Sequence, residues 1–395
     1  MSWGAVDALS WFAVAAPGLE NVVLSEVSAL PGARAVHAVP GGVVFAGTLA
    51  LGMAANLELR AATRILLRVG EMEARFRSAL RAQLGALPFE RWLPSETGLR
   101  IEVAAHRCRL YHTALVEQEV RAAIAARLGR PSAPSSDQSS GASLPTARIL
   151  VRGERDRWVV SVDASGELLH RRGWRLEAGR APLRETLAAG ILQLAGYDPR
   201  LPLVDPMCGS GTLVLEAAAL ATGRAPGLGR DFAFQRWPSF GAAESAQWQK
   251  LCRAAAAPTL PAAPAAILGL DESAKAVVIA SRNAERAGFS TVARFEQTRF
   301  EPRPDESGPS RLPAGPGLVV INPPYGKRLG HPAAARRLTE TLGQNLPAWF
   351  PGWRAAVLVP DAKWAPLLEL CTPGLRALDN GGLRVHLVMG NIHPR

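Results

Sequence analysis

Residues 201–212, LPLVDPMCGSGT, join an apolar run to a small-residue turn and then to a helical pattern. Leu201-Pro202-Leu203-Val204 reads as a short buried strand. Asp205 and Pro206 follow, then the turn Cys208-Gly209-Ser210-Gly211, and from Thr212 an alanine-rich helix begins. Glycines let a backbone approach a ligand closely. The helix start offers unpaired N–H groups and a positive dipole end. In an open α/β sheet this is the architecture of a nucleotide-type cofactor site. The spacing is not G-x-G-x-x-G and no G-K-[S/T] follows, so the run favours a cofactor without phosphates. Taken alone, it also fits a tight turn that binds nothing.

The second run is Asn322-Pro323-Pro324-Tyr325-Gly326, at the end of an apolar strand over 317–321. Two prolines cannot continue a central ladder, so the chain leaves the sheet there. Leaving at the carboxyl end of the strand puts Asn322 beside the 201–212 crevice. The Asn322 amide oxygen and the Pro323 carbonyl can accept both hydrogens of a planar exocyclic amine. Tyr325 can stack on the ring that bears it. A third candidate is Asp271, which ends the strand over 266–270, where ribose hydroxyls are held in such sheets. Glu272 beside it competes for that role.

These residues need a sheet to hold them. Five βα units, with strands over 201–204, 266–270, 292–297, 317–321 and 354–360, end in a hairpin around Asn380-Gly381-Gly382. Residues 223–264 read as an irregular insertion whose aromatics pack, and 302–316 as a Pro/Gly loop. The N-terminal 70 residues follow a β-α-β-β-α-β order, which indicates a ferredoxin-like unit. Residues 71–165 form a second basic module, with helices over 75–87 and 113–128, a flexible Ser/Pro loop over 131–145, and a basic turn at 106–112. Arg107, Arg109, His112 and Arg121 are candidates for a phosphate-contacting face. His170-Arg171-Arg172-Gly173-Trp174-Arg175 is a basic-aromatic linker; Arg171, Arg172 and Trp174 have the types that hold a nucleic-acid backbone and stack a base. A solvated linker is the plainer alternative.

The charge balance points the same way. The chain has 395 residues, a formal net charge of +11 and a sequence pI of about 10.4, with four lysines, Lys250, Lys275, Lys327 and Lys363, among its 45 basic side chains. Such a balance implies a polyanionic partner, nucleic acid first. Cys108, Cys208, Cys252 and Cys371 are far apart, so neither a zinc site nor a disulfide framework is indicated. There is no signal-peptide pattern and no apolar run of membrane-spanning length. A cytoplasmic protein with no metal and no membrane partner is expected.

The order DPMCGSGT, GLDES, NPPYGKRLG and a closing hairpin resembles the class I S-adenosylmethionine-dependent methyltransferases. More closely it is similar to the THUMP-domain RNA guanine-N2 methyltransferases, the bacterial 23S rRNA enzyme and its archaeal tRNA relatives. APLRETLAAGIL ahead of LPLVDPMCGSGTLVLEAA is especially similar to the 23S rRNA type. The resemblance implies an α/β fold: a Rossmann-like class I methyltransferase sheet with a C-terminal antiparallel hairpin, plus N-terminal α+β ferredoxin-like and THUMP modules. It divides the chain into a ferredoxin-like domain (1–70), a THUMP RNA-binding domain (71–165), a linker (166–183) and a catalytic domain (184–395). It implies S-adenosylmethionine as cofactor, held by Asp205, Pro206, Gly209, Gly211 and Thr212, with Asp271 on the ribose and Glu185 and Thr186 near the amino-acid end. Asn322, Pro323 and Tyr325 are implied to bind the target amine and base. The sequence departs from the family pattern at Phe295-Glu296-Gln297-Thr298-Arg299-Phe300, where an Asp is often found near the adenine.

The expected activity is methyl transfer to guanosine N2 in RNA, 23S rRNA ahead of tRNA. N-P-P-Y also serves adenine-N6 methyltransferases and glutamine-N5 methyltransferases, and the basic N-terminal half argues against the protein substrate of the latter. An inactive RNA-binding or assembly factor is the competing class; the intact Asp205, Gly209, Gly211 and Asn322 speak against it.

Overall fold

The structure is a computed structural model that describes residues 8–94, 97–129, 146–174, 183–301, 312–324 and 332–393. The expected loop at 131–145, most of that at 302–316, and Tyr325 lie outside these residues. The chain opens with β1 (Leu9–Ala15), α1 (Glu20–Ala29), β2 (Arg34–Val39), β3 (Gly42–Gly47), α2 (Leu49–Glu58) and β4 (Ala62–Glu73). This is the β-α-β-β-α-β order expected from the sequence. It continues with α3 (Arg77–Gly85), β5 (Gly98–His106), α4 (Thr113–Leu128), β6 (Thr146–Glu154) and β7 (Arg157–Asp163).

All seven strands form one sheet in the order β2-β3-β1-β4-β7-β6-β5. β4 is the shared strand: it pairs antiparallel with β1 on one side and β7 on the other, and it continues through residue 70. Strand side chains alternate between faces. Trp11, Leu67 and Val162 stand opposite one another in the ladder and are buried, as are Ile149 and Ile101. The helices cover this face; Gly52 of α2 lies against the Trp11 ring, where a Cβ would meet the indole at 2.2 Å.

The second half begins with α5 (Glu185–Leu194), β8 (Leu203–Asp205), α6 (Thr212–Ala221), α7 (Ala242–Ala256), β9 (Ile267–Asp271), α8 (Ala274–Ala287) and β10 (Ala293–Gln297). It closes with β11 (Leu318–Ile321), α9 (Pro332–Trp349), β12 (Arg354–Val359), β13 (Cys371–Asn380) and β14 (Leu383–Asn391). The sheet order is β10-β9-β8-β11-β12-β14-β13. The first five of these strands are parallel, and the hairpin is antiparallel to them. Gly381 and Gly382, with φ of +65° and +89°, supply the two left-handed positions of the hairpin turn.

Two helices depart from the sequence expectation. The 223–264 insertion is not irregular throughout: α7 occupies fifteen of its residues between Pro238 and Pro258. Its start is closed by the Gly241 N–H donating to Glu244 Oε2 at 3.0 Å. α9 carries Leu342, Leu346 and Trp349 into a second core beside Phe300, Phe350 and Trp353.

The expected packing aromatics of the insertion join the halves. Phe234 and Trp237 are buried; Trp237 stacks on Trp11 at 6.5 Å and meets Trp92 edge-on at 5.2 Å. Gly227 donates its N–H to Leu57 O at 2.9 Å. A Cβ at 227 would fall 2.7 Å from Leu57, so the close approach requires glycine.

Candidate active site

β8 is the middle one of the five parallel strands, with β9 on one side and β11 on the other. Strand order reverses there, and the carboxyl rim beside such a switch point is where α/β sheets bind ligands. Asp205 ends β8 and Asp271 ends β9. Leu318 and Val319 of β11 pair with Leu203 and Val204, so Asn322, one residue past the end of β11, emerges at the same rim. Parallel pairing thus brings together side chains more than a hundred residues apart.

The turn after Asp205 is held from three sides. Asp205 Oδ1 accepts from the Met207 N–H at 3.0 Å. Asp271 Oδ2 accepts from the Gly209 N–H at 2.9 Å, and its Oδ1 from the Ser273 N–H at 2.9 Å. Asn283, buried on α8, donates from Nδ2 to the Ser210 carbonyl at 3.2 Å. Gly209 and Gly211 both have positive φ, +55° and +85°. Among the described residues, the place a Cβ would take at Gly209 is open space, whereas at Gly211 it would meet the Phe295 ring at 3.0 Å. The turn is therefore packed from beneath at 211 and open to a ligand at 209. Thr212, buried, then starts α6, with Gly211 as its N-cap.

Asp205 is fully buried. Desolvation pushes its carboxyl up to about 8; the Met207 N–H opposes that and the charge on Asp271 adds to it. Burial likewise raises the Cys208 thiol, which keeps it protonated and fits a packing role. Across the rim, the Asn322 Oδ1 is a buried acceptor with no hydrogen-bond partner among the described residues. Pro323 behind it is buried. An unmet buried acceptor costs about 1–3 kcal/mol, and such an acceptor in a native site calls for an explanation. Glu185 and Thr186 lie buried in the first turn of α5, which packs along α6.

The residues assigned to nucleic acid divide. Arg107, Arg109 and Arg171 are exposed; Arg109 lies over the Phe76 ring at 4.6 Å and Arg171 pairs with Glu167 at 3.1 Å. Arg172 and Trp174 correct the expectation, because both are buried. Arg172 pairs with Glu216 at 3.3 Å and donates to the carbonyls of Leu169 and Arg60. Trp174 meets Phe289 edge-on at 5.7 Å under the Arg224 guanidinium. Arg172 and Trp174 thus seal a core rather than face a strand of nucleic acid, whereas Arg171 stays at the surface.

Asn283 was not singled out from the sequence, and Phe295 was named only in the run that departs from the family pattern. Asn283 had a readable signal: it takes the core-facing position between Ala280 and Ala287 on an otherwise apolar helix stripe. Among the described residues no cluster of three or more metal-binding side chains occurs, and no helix is long and apolar enough to cross a membrane.

A strand order 3-2-1-4-5-7-6 within the second half, a glycine turn after its first strand and an acidic residue ending its second together define a class I methyltransferase fold. Residues 172–376 match the RMKL-like methyltransferase domain, and residues 10–66 match the RlmL ferredoxin-like domain. The chain belongs to that RMKL-like methyltransferase family. It is 36% identical over 394 residues to the ribosomal RNA large subunit methyltransferase K/L of Magnetococcus marinus, covering 98% of this chain and 53% of the relative. The chain thus spans about half the length of the K/L relatives it matches. It is 31% identical to slr0064 of Synechocystis, assigned as an RNA methyltransferase, with 94% of both chains covered. Among solved structures it is similar to SMU.472, assigned as a methyltransferase and complexed with SAH, at 28% identity, a TM-score of 0.81 and 98% coverage of both chains.

Proposed function

We propose that this chain transfers a methyl group from S-adenosylmethionine to the exocyclic N2 amine of a guanosine in RNA, large-subunit rRNA in particular. Residues 184–395 act as the catalytic domain, 1–70 as the ferredoxin-like domain and 71–165 as a THUMP RNA-binding module, joined by the 166–183 linker. The observation that carries the reading is the unmet Asn322 Oδ1 on the rim that also bears the open glycine turn.

The residues present fit the cofactor. Open space at Gly209 admits a ligand against the backbone, Asp271 is held rigidly enough to accept ribose hydroxyls on its remaining lone pairs, and Asp205 offers a buried carboxyl to a cation. Pro206, Gly211, Thr212, Glu185 and Thr186 complete the set. When bound, S-adenosylmethionine supplies an electrophilic sulfonium methyl. The weak reactant is the amine, whose lone pair is delocalised into the base. Asn322 Oδ1 and the Pro323 carbonyl accept its two hydrogens and draw the nitrogen toward tetrahedral geometry as attack begins. That is positioning plus electrostatic stabilisation; little acid–base work is needed, because the thioether S-adenosylhomocysteine would leave as a neutral group and the proton shed by the methylated amine would pass to water. Removing the base from its stack costs a few kcal/mol; stacking on Tyr325 offsets about 1–3 kcal/mol of that.

Support for RNA comes from the +11 charge and from the names of the K/L relatives. The test is nucleoside mass analysis of deproteinised large-subunit rRNA, prepared from cells lacking the gene, after incubation with the protein and labelled cofactor. Label in N2-methylguanosine is expected. Label in N6-methyladenosine would replace guanine with adenine, and cofactor binding without transfer to any RNA would favour the assembly-factor reading.

A further inference from the structure

We propose that a pocket where the arginine-bearing face of the N-terminal sheet meets the linker and the Ala233–Arg236 turn binds the phosphodiester backbone of RNA. The inference rests on the RNA substrate proposed above and adds a site distinct from Arg107 and Arg109.

The pocket is lined by Arg64, Arg100, Arg148, Arg171, Arg236 and Asp163, among others. Strand alternation places the sheet arginines. Ile65, Ile101 and Ile149 face the helices and are buried, so Arg64, Arg100 and Arg148 face the other way. Arg100 and Arg148 stand side by side in the β5–β6 ladder. Among the described residues no helix covers this face at that point; Arg100 is exposed and Arg148 half-buried.

Positive charge exceeds what the nearby carboxylates can neutralise. Asp163 is engaged by Arg64. Glu102 Oε1 is shared by Arg100 at 2.9 Å and Arg148 at 3.4 Å. Glu167 pairs with Arg171 across one helical-type step on the surface. Arg236 is exposed and has no ion-pair partner among the described residues. Burial, with the charge on Arg148 adding to it, holds the Arg64 guanidinium below its ordinary value against the pull of Asp163. Crowded guanidinium forks with a surplus of charge match the oxygens of phosphate, which accept and never donate.

The face continues beyond the pocket. Arg68 and Arg152 lie four residues along β4 and β6 from Arg64 and Arg148, on the same face and about 13 Å further on. A cationic track repeated along the sheet suits a polymer of regularly spaced charges better than a single carboxylate. The pocket also draws on the N-terminal sheet, the linker and the insertion of the catalytic half together. A phosphate held there is therefore fixed relative to the methyl-transfer rim, which bare surface arginines on one module cannot achieve.

The experiment compares the full chain with its Arg148→Gln/Arg236→Gln variant, both sites being accessible and outside the catalytic rim. A short fluorescein-labelled RNA is titrated by anisotropy across a salt series, with S-adenosylmethionine affinity measured in parallel. The slope of log K against log salt should flatten by about 1–2, roughly one step for each phosphate no longer bound. Cofactor affinity should not change, and Arg148→Lys/Arg236→Lys should retain the slope. A variant with the wild-type slope and affinity would overturn the pocket while leaving RNA methylation standing. A wild type that binds no RNA would overturn the proposed function and the pocket with it. An acidic peptide that binds the wild type as tightly as RNA, and no longer binds the variant, would replace RNA with a protein partner.

Discussion

At the scale of single residues, the buried carboxyl of Asp205 ties the protein's stability to pH, and in the proposed site it would tie cofactor binding to pH as well. Unfolded, it ionises near 3.8; in the fold it holds its proton up to about 8. Its contribution to stability is thus fully present below the lower value and is lost as pH rises through the upper one. Asp205→Asn, which keeps the shape and removes the titration, should make the ligand-free protein more stable at pH 8 than the wild type, as read by urea denaturation. A cationic cofactor favours the ionised carboxylate, so wild-type affinity should rise with pH up to about 8, with proton release on binding. Calorimetry in buffers of different ionisation enthalpy checks this; binding independent of pH would remove Asp205 from the site. Asp205, the glycines, Asp271 and Asn322 were legible because strand ends and glycine turns leave local signatures. The burial of Arg172 and Trp174 was not, since residue type says what a side chain can bind and not which neighbours enclose it. Glu216, the partner that makes the difference, lies 44 residues along the chain.

At the level of elements, the glycine turn depends on α8 as much as on its own residues. Asn283 reaches Ser210 O from a fully buried position, and Arg286 donates to its Oδ1 at 3.2 Å. Asn283→Ala should destabilise the protein by about 1 kcal/mol by removing a part-buried hydrogen bond to the Ser210 carbonyl. It should also weaken cofactor affinity while leaving the rate at saturating cofactor nearly unchanged. A fall in the saturated rate with affinity intact would place Asn283 in the chemistry and not in positioning. Four of the five parallel strands were readable as apolar runs ending in acids, amides or prolines. α9 was not legible although Ala335, Leu342, Leu346 and Trp349 follow helical spacing, because Thr339 and Asn345 interrupt that stripe and are buried. Asn345 is there to bond Phe300 O at 2.9 Å, a contact no local pattern announces. α7 was hidden by prolines on either side of it, and it presents no fully buried residue to mark a face.

Over the whole molecule, the two sheets are tied by a buried polar network. Arg60 donates to Arg224 O at 2.7 Å, Gln193 to Glu26 at 2.6 Å, and Arg172 binds Glu216. Removing one partner of such a buried pair costs about 3–5 kcal/mol. Arg172→Ala should therefore lower stability on that scale, whereas Arg171→Ala on the exposed side should stay within about 0.5 kcal/mol. Equal, small effects in both would contradict the placement of Arg172. Net charge implies a polyanionic partner, and the proposed arginine pocket would supply a surface for one. Which arginines form that surface could not be read from the sequence, because it depends on strand pairings up to a hundred residues apart.

The central claim is that Asn322 acts on the amine while the glycine turn across the rim holds the donor. Its most direct test is single-turnover methyl transfer to deproteinised large-subunit rRNA by Asn322→Ala, with cofactor affinity measured alongside. Transfer should fall by about 10²–10³-fold, the scale of losing one placed polar group in a reacting site, with cofactor affinity within a few-fold of wild type. Weakened cofactor binding with undiminished transfer at saturation would contradict it, making Asn322 a ligand of the donor instead.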